Sequence, residues 1–252
     1  MALKRRGISV MVVSSLVLFG LVVAYFLVDL RVRVYAQDRV EQEIAANLPD
    51  TVTGDVTASI GGLSVIAQYL SGRFERVVLS APGLAVNGVP ASVHVVATDV
   101  PVDQTTPVGA VRATVDLAPG SLNALAHAAG TAGDTELKLG DGEVSYAGTL
   151  ALPGLPVGYI VTAKPTVDPA HIILTPSGAK LTTDSGSLDL GGIVKLILGS
   201  QPLTVCVAQF LPEGLDLTGV SVTPERARLV LESSTLLLSK KSLTTLGACP
   251  AG

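Results

Sequence analysis

"TVTGDVTASI", residues 51–60, alternates without a slip. Val52, Gly54, Val56, Ala58 and Ile60 are small or apolar, while Thr51, Thr53, Asp55, Thr57 and Ser59 are polar. A period of two is that of a strand with one dry and one wet face. The dry face has to be covered, either by the protein's own interior or by something the protein carries.

Toward the C-terminus the same pattern recurs between close turn signals. "GGLSVIAQYLSG" predicts a short helix, with Ser64 as its cap and Val65, Ile66, Tyr69 and Leu70 as its apolar residues. "RFERVVLSA" and "ASVHVVATDV" read as strands, joined by a hairpin signal at Asn87-Gly88. In "AVRATVDL", Val111, Ala113, Val115 and Leu117 face one way and Arg112, Thr114 and Asp116 the other. "SLNALAHAA" predicts a short amphipathic helix capped by Ser121, and "ELKLGDGEVSYAGTL" a hairpin turning at Gly140-Asp141-Gly142. "GYIVTAKPTV" and "HIILTPSGAKLTT" predict further strands, the second with a turn at Pro176-Ser177-Gly178. "SLDLGGIVKLILG" reads as another helix, and "LDLTGVSVTPERARLVLES" as two strands joined around Pro224-Glu225. Many strands, few short helices and no clean repeat predict a single α+β domain with mostly antiparallel sheet.

Toward the N-terminus, residues 32–48 predict a helix in which Ala36, Val40, Ile44 and Leu48 share a face and Pro49 ends it. Before it, Gly7 to Val28 carry no charge. About 20 such residues span roughly 30 Å as a helix, the thickness of a bilayer core. Lys4, Arg5 and Arg6 favour a cytoplasmic N-terminus, although Arg31 and Arg33 follow the run and reduce the asymmetry. Two outcomes are open: a retained anchor in the cytoplasmic membrane, or a signal peptide cut after Val34-Tyr35-Ala36 with export to the periplasm. The expected division is a membrane segment at 1–31 and an extracytoplasmic domain at 32–252.

Composition narrows the function. Charged residues are 15% and aromatics 4%, without tryptophan. The mean hydropathy is +0.54 and the pI about 5.3. With a net charge of −4 nothing attracts a phosphate backbone, which argues against nucleic acid. Aliphatic side chains without rings suit a smooth greasy surface rather than a stacking platform. Cys206 and Cys249 are the two cysteines, and in an exported chain they predict one disulfide, worth about 4 kcal/mol by loop-closure entropy. His94, His127 and His171 lie in separate segments, without metal-ligand spacing. Asp134, Glu136, Asp141 and Glu143 do not follow the EF-hand pattern. No nucleophile elbow or phosphate loop is present, and no cofactor is expected.

The residues thus offer apolar-faced strands and an amphipathic helix without reactive groups. Either these faces pack fully on each other, or they leave an elongated aliphatic cleft. An acyl chain in such a cleft gains about 0.8 kcal/mol per buried CH₂ without charged contacts.

Three stretches carry a resemblance. "AANLPDTVTGDVTASIGGLSVIAQYLSGRFERVVLSAPGLAVNG" is similar to the opening of the LmeA-like phospholipid-binding family of actinobacterial envelopes. The matching positions are Gly62, Gln68, Leu70 and Gly72, then Gly83, Leu84 and Val86. "VRATVDL" resembles a central strand of that family, and "FLPEGLDLTGVSVTPERARLVLES" its closing pair, with a departure at Pro224-Glu225-Arg226. The resemblance spans most of residues 36–233, except for about 130–190. It implies a strongly curved antiparallel sheet wrapping a long helix, similar to tubular lipid-binding folds. It also implies phospholipid binding, with a link to envelope lipoglycan.

The leading expectation is therefore a non-enzymatic phospholipid-binding protein of the envelope, whose partners are an acyl lipid and the cytoplasmic membrane. The expected wall is Ala36, Val40, Ile44, Leu48, Val52, Val56, Ala58, Ile60, Val65, Ile66, Tyr69 and Leu70, or else the opposite sides of neighbouring strands. A structural interaction module with a filled core and an enzyme acting on envelope glycolipid are the alternatives.

Overall fold

The computed structural model describes residues 2–48, 51–103, 105–128, 136–152, 155–183, 186–189 and 202–249. Helix α1 runs unbroken over Ala2–Asn47, so the expected division at residue 31 falls inside one helix. Among the described residues it is the one helix long and apolar enough to cross a membrane. The strands are β1 (Val52–Thr53), β2 (Thr57–Ile60), β3 (Arg73–Val86), β4 (Val89–Pro101), β5 (Ala110–Leu117), β6 (Leu137–Leu139), β7 (Val144–Leu152), β8 (Leu155–Val167), β9 (His171–Thr183), β10 (Gly186–Asp189), β11 (Leu203–Cys206), β12 (Asp216–Thr223) and β13 (Arg226–Ser233). Short helices α2 (Val65–Ser71) and α3 (Pro119–Ala128) lie between strands, and α4 (Lys240–Thr244) follows β13.

Every strand pair is antiparallel, and the strands form two open sheets. One sheet has the order β1-β3-β4-β5-β13-β12, with β2 beside β1 on the outer edge of β3. The other has the order β10-β9-β8-β7-β6, with β11 also on β9. They meet at β12, where the Gly142 N–H donates to the Val222 carbonyl at 2.9 Å and the Leu217 N–H to the Pro169 carbonyl at 3.1 Å. The disulfide joins Cys206, at the end of β11, to Cys249.

Residues 51–60 keep their alternation except at Gly54, which is exposed, and do not form one continuous strand. Thr51, Thr53, Asp55, Thr57 and Ser59 are exposed, Val52 and Val56 half-buried, Ala58 and Ile60 buried. The ladder breaks at Gly54, whose φ is +127°. A Cβ there would stand 2.6 Å from the Gly83 carbonyl oxygen. Opposite, β3 bulges between Ala81 and Leu84, so Pro82 and Gly83 share one partner position on β4. A bulge bends its strand and steepens the local twist, and β12 carries another between Leu217 and Gly219.

Three local expectations are corrected. Pro176-Ser177-Gly178 is no turn: β9 passes straight through, and Ser177 is the extra residue of a bulge between the Thr162–Gly178 and Ala163–Pro176 pairs. Ser121 does not cap α3, which starts at Pro119, a residue suited to the first helical position because it has no N–H to leave unpaired; Ser121 is buried in the first turn. Ser187–Asp189 belong to β10 rather than to a helix, and the rest of that expected helix, 190–199, lies outside the described residues. Ser64 does cap α2, its hydroxyl accepting the Ala67 N–H at 3.0 Å, and Gly72 ends it with φ +80°.

Candidate functional site

The seven-stranded sheet has two chemically distinct faces. Cross-strand register places Ala58 beside Leu79, Leu79 beside Val95, and Val95 beside Ala113. It also aligns Ala81 with Val93, Val93 with Val115 and Val115 with Leu229. This face is aliphatic over five strands. The opposite face carries the charges. Arg112 is bonded to Glu232 on the adjacent strand. The Arg228 guanidinium grips Asp116 with two bonds of 2.7 and 2.8 Å. Those bonds hold the Asp116 carboxyl below its ordinary range and push Arg228 up.

The aliphatic face is incompletely covered. Its fully buried members include the small Ala58, Ala81, Ala113 and Ala227 and also the larger Ile60, Val111, Leu117 and Leu231. The larger Val77, Leu79, Val93, Val95, Val115 and Leu229 stay half-buried. Near the β3–β4 end, Val100, Val108, Val111 and Leu236 pack against Phe74, Val77 and Leu238. Farther along, Leu217, Leu231 and Ala113 meet Val167 and Ile172 of the second sheet. Apolar residues of both sheets therefore share one interior. In the second sheet Tyr146 and Tyr159 sit on adjacent strands with ring centroids 6.1 Å apart. Burial raises the Tyr159 phenol, and its bond with Tyr146 adds to that.

Helix α1 closes the free edge of β2 with side chains. The Ala58 N–H donates to Glu41 Oε1 at 2.7 Å, and Arg33 Nη1 donates to the Ile60 carbonyl at 2.9 Å. An uncovered edge strand would present unpaired backbone groups to any passing chain. Lower on α1, Asp29 is 2% exposed. Its Oδ1 accepts from Ser64 Oγ at 2.7 Å and from the Ile66 N–H at 3.0 Å. Arg33 stands 3.7 Å from it, and the Tyr25 hydroxyl is 2.6 Å from Ser64 Oγ.

The expected wall residues fall into three groups. Ala58, Ile60 and Val65 are buried. Ala36, Val40, Ile44, Leu48, Val52, Val56 and Ile66 are half-buried. Tyr69 and Leu70 are exposed on α2. The α1 residues recur on the side that carries Arg33 and Glu41 toward β2. The half-buried valines and leucines of β3, β4, β5 and β13 were not among the named residues. The alternation of β5 hinted at them, but Val77-Val78 and Val95-Val96 leave the phase of β3 and β4 ambiguous until the register is known.

Two further polar clusters, around Asp168 and Asp103, stabilise turns. Asp168 accepts from the Ala170 and His171 backbone N–H groups at 2.9 and 2.8 Å and lies 2.9 Å from His171 Nδ1. The Ala170 N–H leads in holding its carboxyl below the ordinary range, with His171 adding to it. Asp103, held at about 2 mainly by the Thr105 hydroxyl, organises an exposed loop. Among the described residues no three His, Cys, Asp or Glu side chains converge as a metal site would need. Asp134 lies outside the described residues.

A family model described as LmeA-like phospholipid-binding matches residues 27–232. The chain belongs to this family. No curated protein and no solved structure matches it. The matched span starts inside α1, two residues before Asp29, and ends within β13, so it includes the α1–β2 edge, α2 and both sheets.

Proposed function

We propose that the protein is a non-enzymatic phospholipid-binding protein of the cell envelope, which holds acyl chains against the half-buried aliphatic face. Val77, Leu79, Val93, Val95, Val115 and Leu229 form the floor of that site. Ala36, Val40, Ile44 and Leu48 of α1 flank it, and Val52 and Val56 lie at its rim. Ala58, Ile60 and Val65 support it from within, while Ile66, Tyr69 and Leu70 stand at its membrane end. One observation supports this reading: large aliphatic residues, aligned across adjacent strands, stay only partly buried in a member of a phospholipid-binding family, although Val77, Val95, Val115 and Leu229 also touch the buried core. Each methylene laid there contributes about 0.8 kcal/mol. In this reading α1 is a retained anchor with the sheets outside the cytoplasm, where the Cys206–Cys249 disulfide is stable. The protein then serves lipid or lipoglycan homeostasis at that surface.

The test uses the full chain in nanodiscs containing phosphatidylcholine with a diazirine in its acyl chain. Irradiation should label peptides within 73–117. Label confined to residues 7–28 would overturn the proposal, because it would mean that the lipid touches only the span.

A further inference from the structure

The helix α2 and the loop before it expose large apolar residues at a defined height along α1. Leu63 is 86% exposed, Leu70 79% and Tyr69 61%. They do not hang free. The segment that carries them is bonded to α1 at Tyr25, Asp29 and Arg33, through Ser64 Oγ, the Ile66 N–H and the carbonyls of Ile60, Gly62 and Leu63. Those three residues straddle the end of the uncharged run Gly7–Val28. At 1.5 Å per residue that run is about 33 Å long, close to the roughly 30 Å of a hydrocarbon core. Tyr25 thus lies about one turn inside the apolar layer, and Arg33 about one turn outside it. The bonded segment sits between them, at the acyl–headgroup boundary. Tyrosines favour that level.

We propose that Leu63, Tyr69 and Leu70 form an interfacial foot, inserted in the outer leaflet of the phospholipid bilayer beside α1. This rests on the retained-anchor reading above. Continuity with the spanning helix selects a bilayer as partner: Asp29 and Arg33 fix the foot to the very turns that leave the membrane. The foot also orients the sheet. Gly72 leads directly into Arg73, which pairs with Pro101, and the Val102 N–H donates to the Gly72 carbonyl at 2.9 Å. The ends of the strands at Arg73, Pro101, Ala110 and Ser233 therefore face the leaflet, and the Pro224-Glu225 turn lies at the opposite end of β13.

The native chain has no tryptophan. Single-tryptophan variants of the full chain therefore report depth directly. Leu63→Trp, Leu70→Trp, Glu225→Trp and Leu18→Trp are reconstituted in phosphatidylcholine vesicles with bromines at defined acyl carbons. L63W and L70W should be quenched several-fold more strongly than E225W, and most by bromines near the headgroup. L18W, in the middle of the run, should be quenched most by deep bromines. If L18W is quenched deeply while L63W and L70W behave like E225W, the foot is refuted and the anchor stands. If L18W is not quenched, the anchor fails and the foot with it. Acyl-chain labelling of residues 73–117 is a separate readout, so capture by the sheet can survive either result.

Discussion

Asp29 is the residue on which the joint between α1 and the sheet domain turns, and Asp29→Ala tests this. The substitution removes an acceptor with bonds of 2.7 and 3.0 Å and the charge 3.7 Å from Arg33. Hydrogen bonds to a charged group contribute about 1.5–3 kcal/mol each. Two facts reduce the sum. Ser64 keeps the Tyr25 hydroxyl as a partner, and the cover over Asp29 is thin, one short helix and one loop, so water reaches the Ile66 N–H once the joint opens. About 2–3 kcal/mol of local stability should be lost, and amide exchange over 64–71 should accelerate roughly 30- to 150-fold. Hydrogen exchange of the full chain in nanodiscs measures it, with β3–β4 peptides as the unchanged reference. Asp29→Asn keeps an acceptor for Ile66 and should stay below tenfold. Unaltered protection over 64–71 in Asp29→Ala would refute the reasoning, because the joint would then be held without Asp29, by the Arg33, Glu41 and Tyr25 bonds and apolar contact.

Val95→Asp places a carboxylate mid-face between Leu79 and Ala113 and should cut acyl-chain labelling of 73–117 at least tenfold, whereas Val96→Asp, on the opposite face beside Arg112, should leave it intact. Cys206→Ser opens a covalent link of sequence separation 43; it should cost about 4 kcal/mol and lower the thermal midpoint by on the order of 10 °C. The Asp116 carboxyl is held down by the Arg228 hydrogen bonds, so the pair stabilises the fold above the unfolded carboxyl value of about 3.9 and is lost as pH falls through the lower folded value. Urea midpoints of wild type and Asp116→Asn should therefore differ at pH 7 and converge toward pH 2.

Where side-chain period and local sterics agree, the elements were legible in the sequence. The exposure of residues 51–60 follows their alternation at every position but Gly54, β5 coincides with "AVRATVDL", and the Ser64 and Gly72 caps bound α2. What was not legible depends on partners distant in sequence. Gly54 looks like any small residue on a dry face, and only its contact with Gly83, 29 positions on, shows that the strand must break there. Pro176-Ser177-Gly178 has turn composition, but β8 on one side holds it in a bulge. Asp29 reads from sequence as a charge ending an apolar run; its role requires knowing that the α2 N-terminus docks there. The proposed site divides in the same way: the α1 stripe follows from a period of four, whereas the proposed floor depends on the registers of β3, β4 and β13.

A site without charge on its floor makes a quantitative demand on its ligand. If affinity comes from methylenes laid on Val77, Leu79, Val93, Val95, Val115 and Leu229, it must rise with chain length and depend little on the headgroup. At about 0.8 kcal/mol per CH₂ each added methylene should tighten binding roughly fourfold. The gain must stop when the chain outruns the face. From β3 at one side of that floor to β13 at the other there are three interstrand steps; at about 4.8 Å each they give a floor about 14 Å wide. Competition of phosphatidylcholines of increasing acyl length against the diazirine lipid, in nanodiscs with the full chain, measures this dependence. The expected curve climbs steeply and then flattens, and it superposes for phosphatidylglycerol and phosphatidylethanolamine. A flat dependence on chain length with a strong dependence on headgroup would place the affinity at polar residues instead, and the half-buried aliphatic face would then be a packing surface rather than a binding floor.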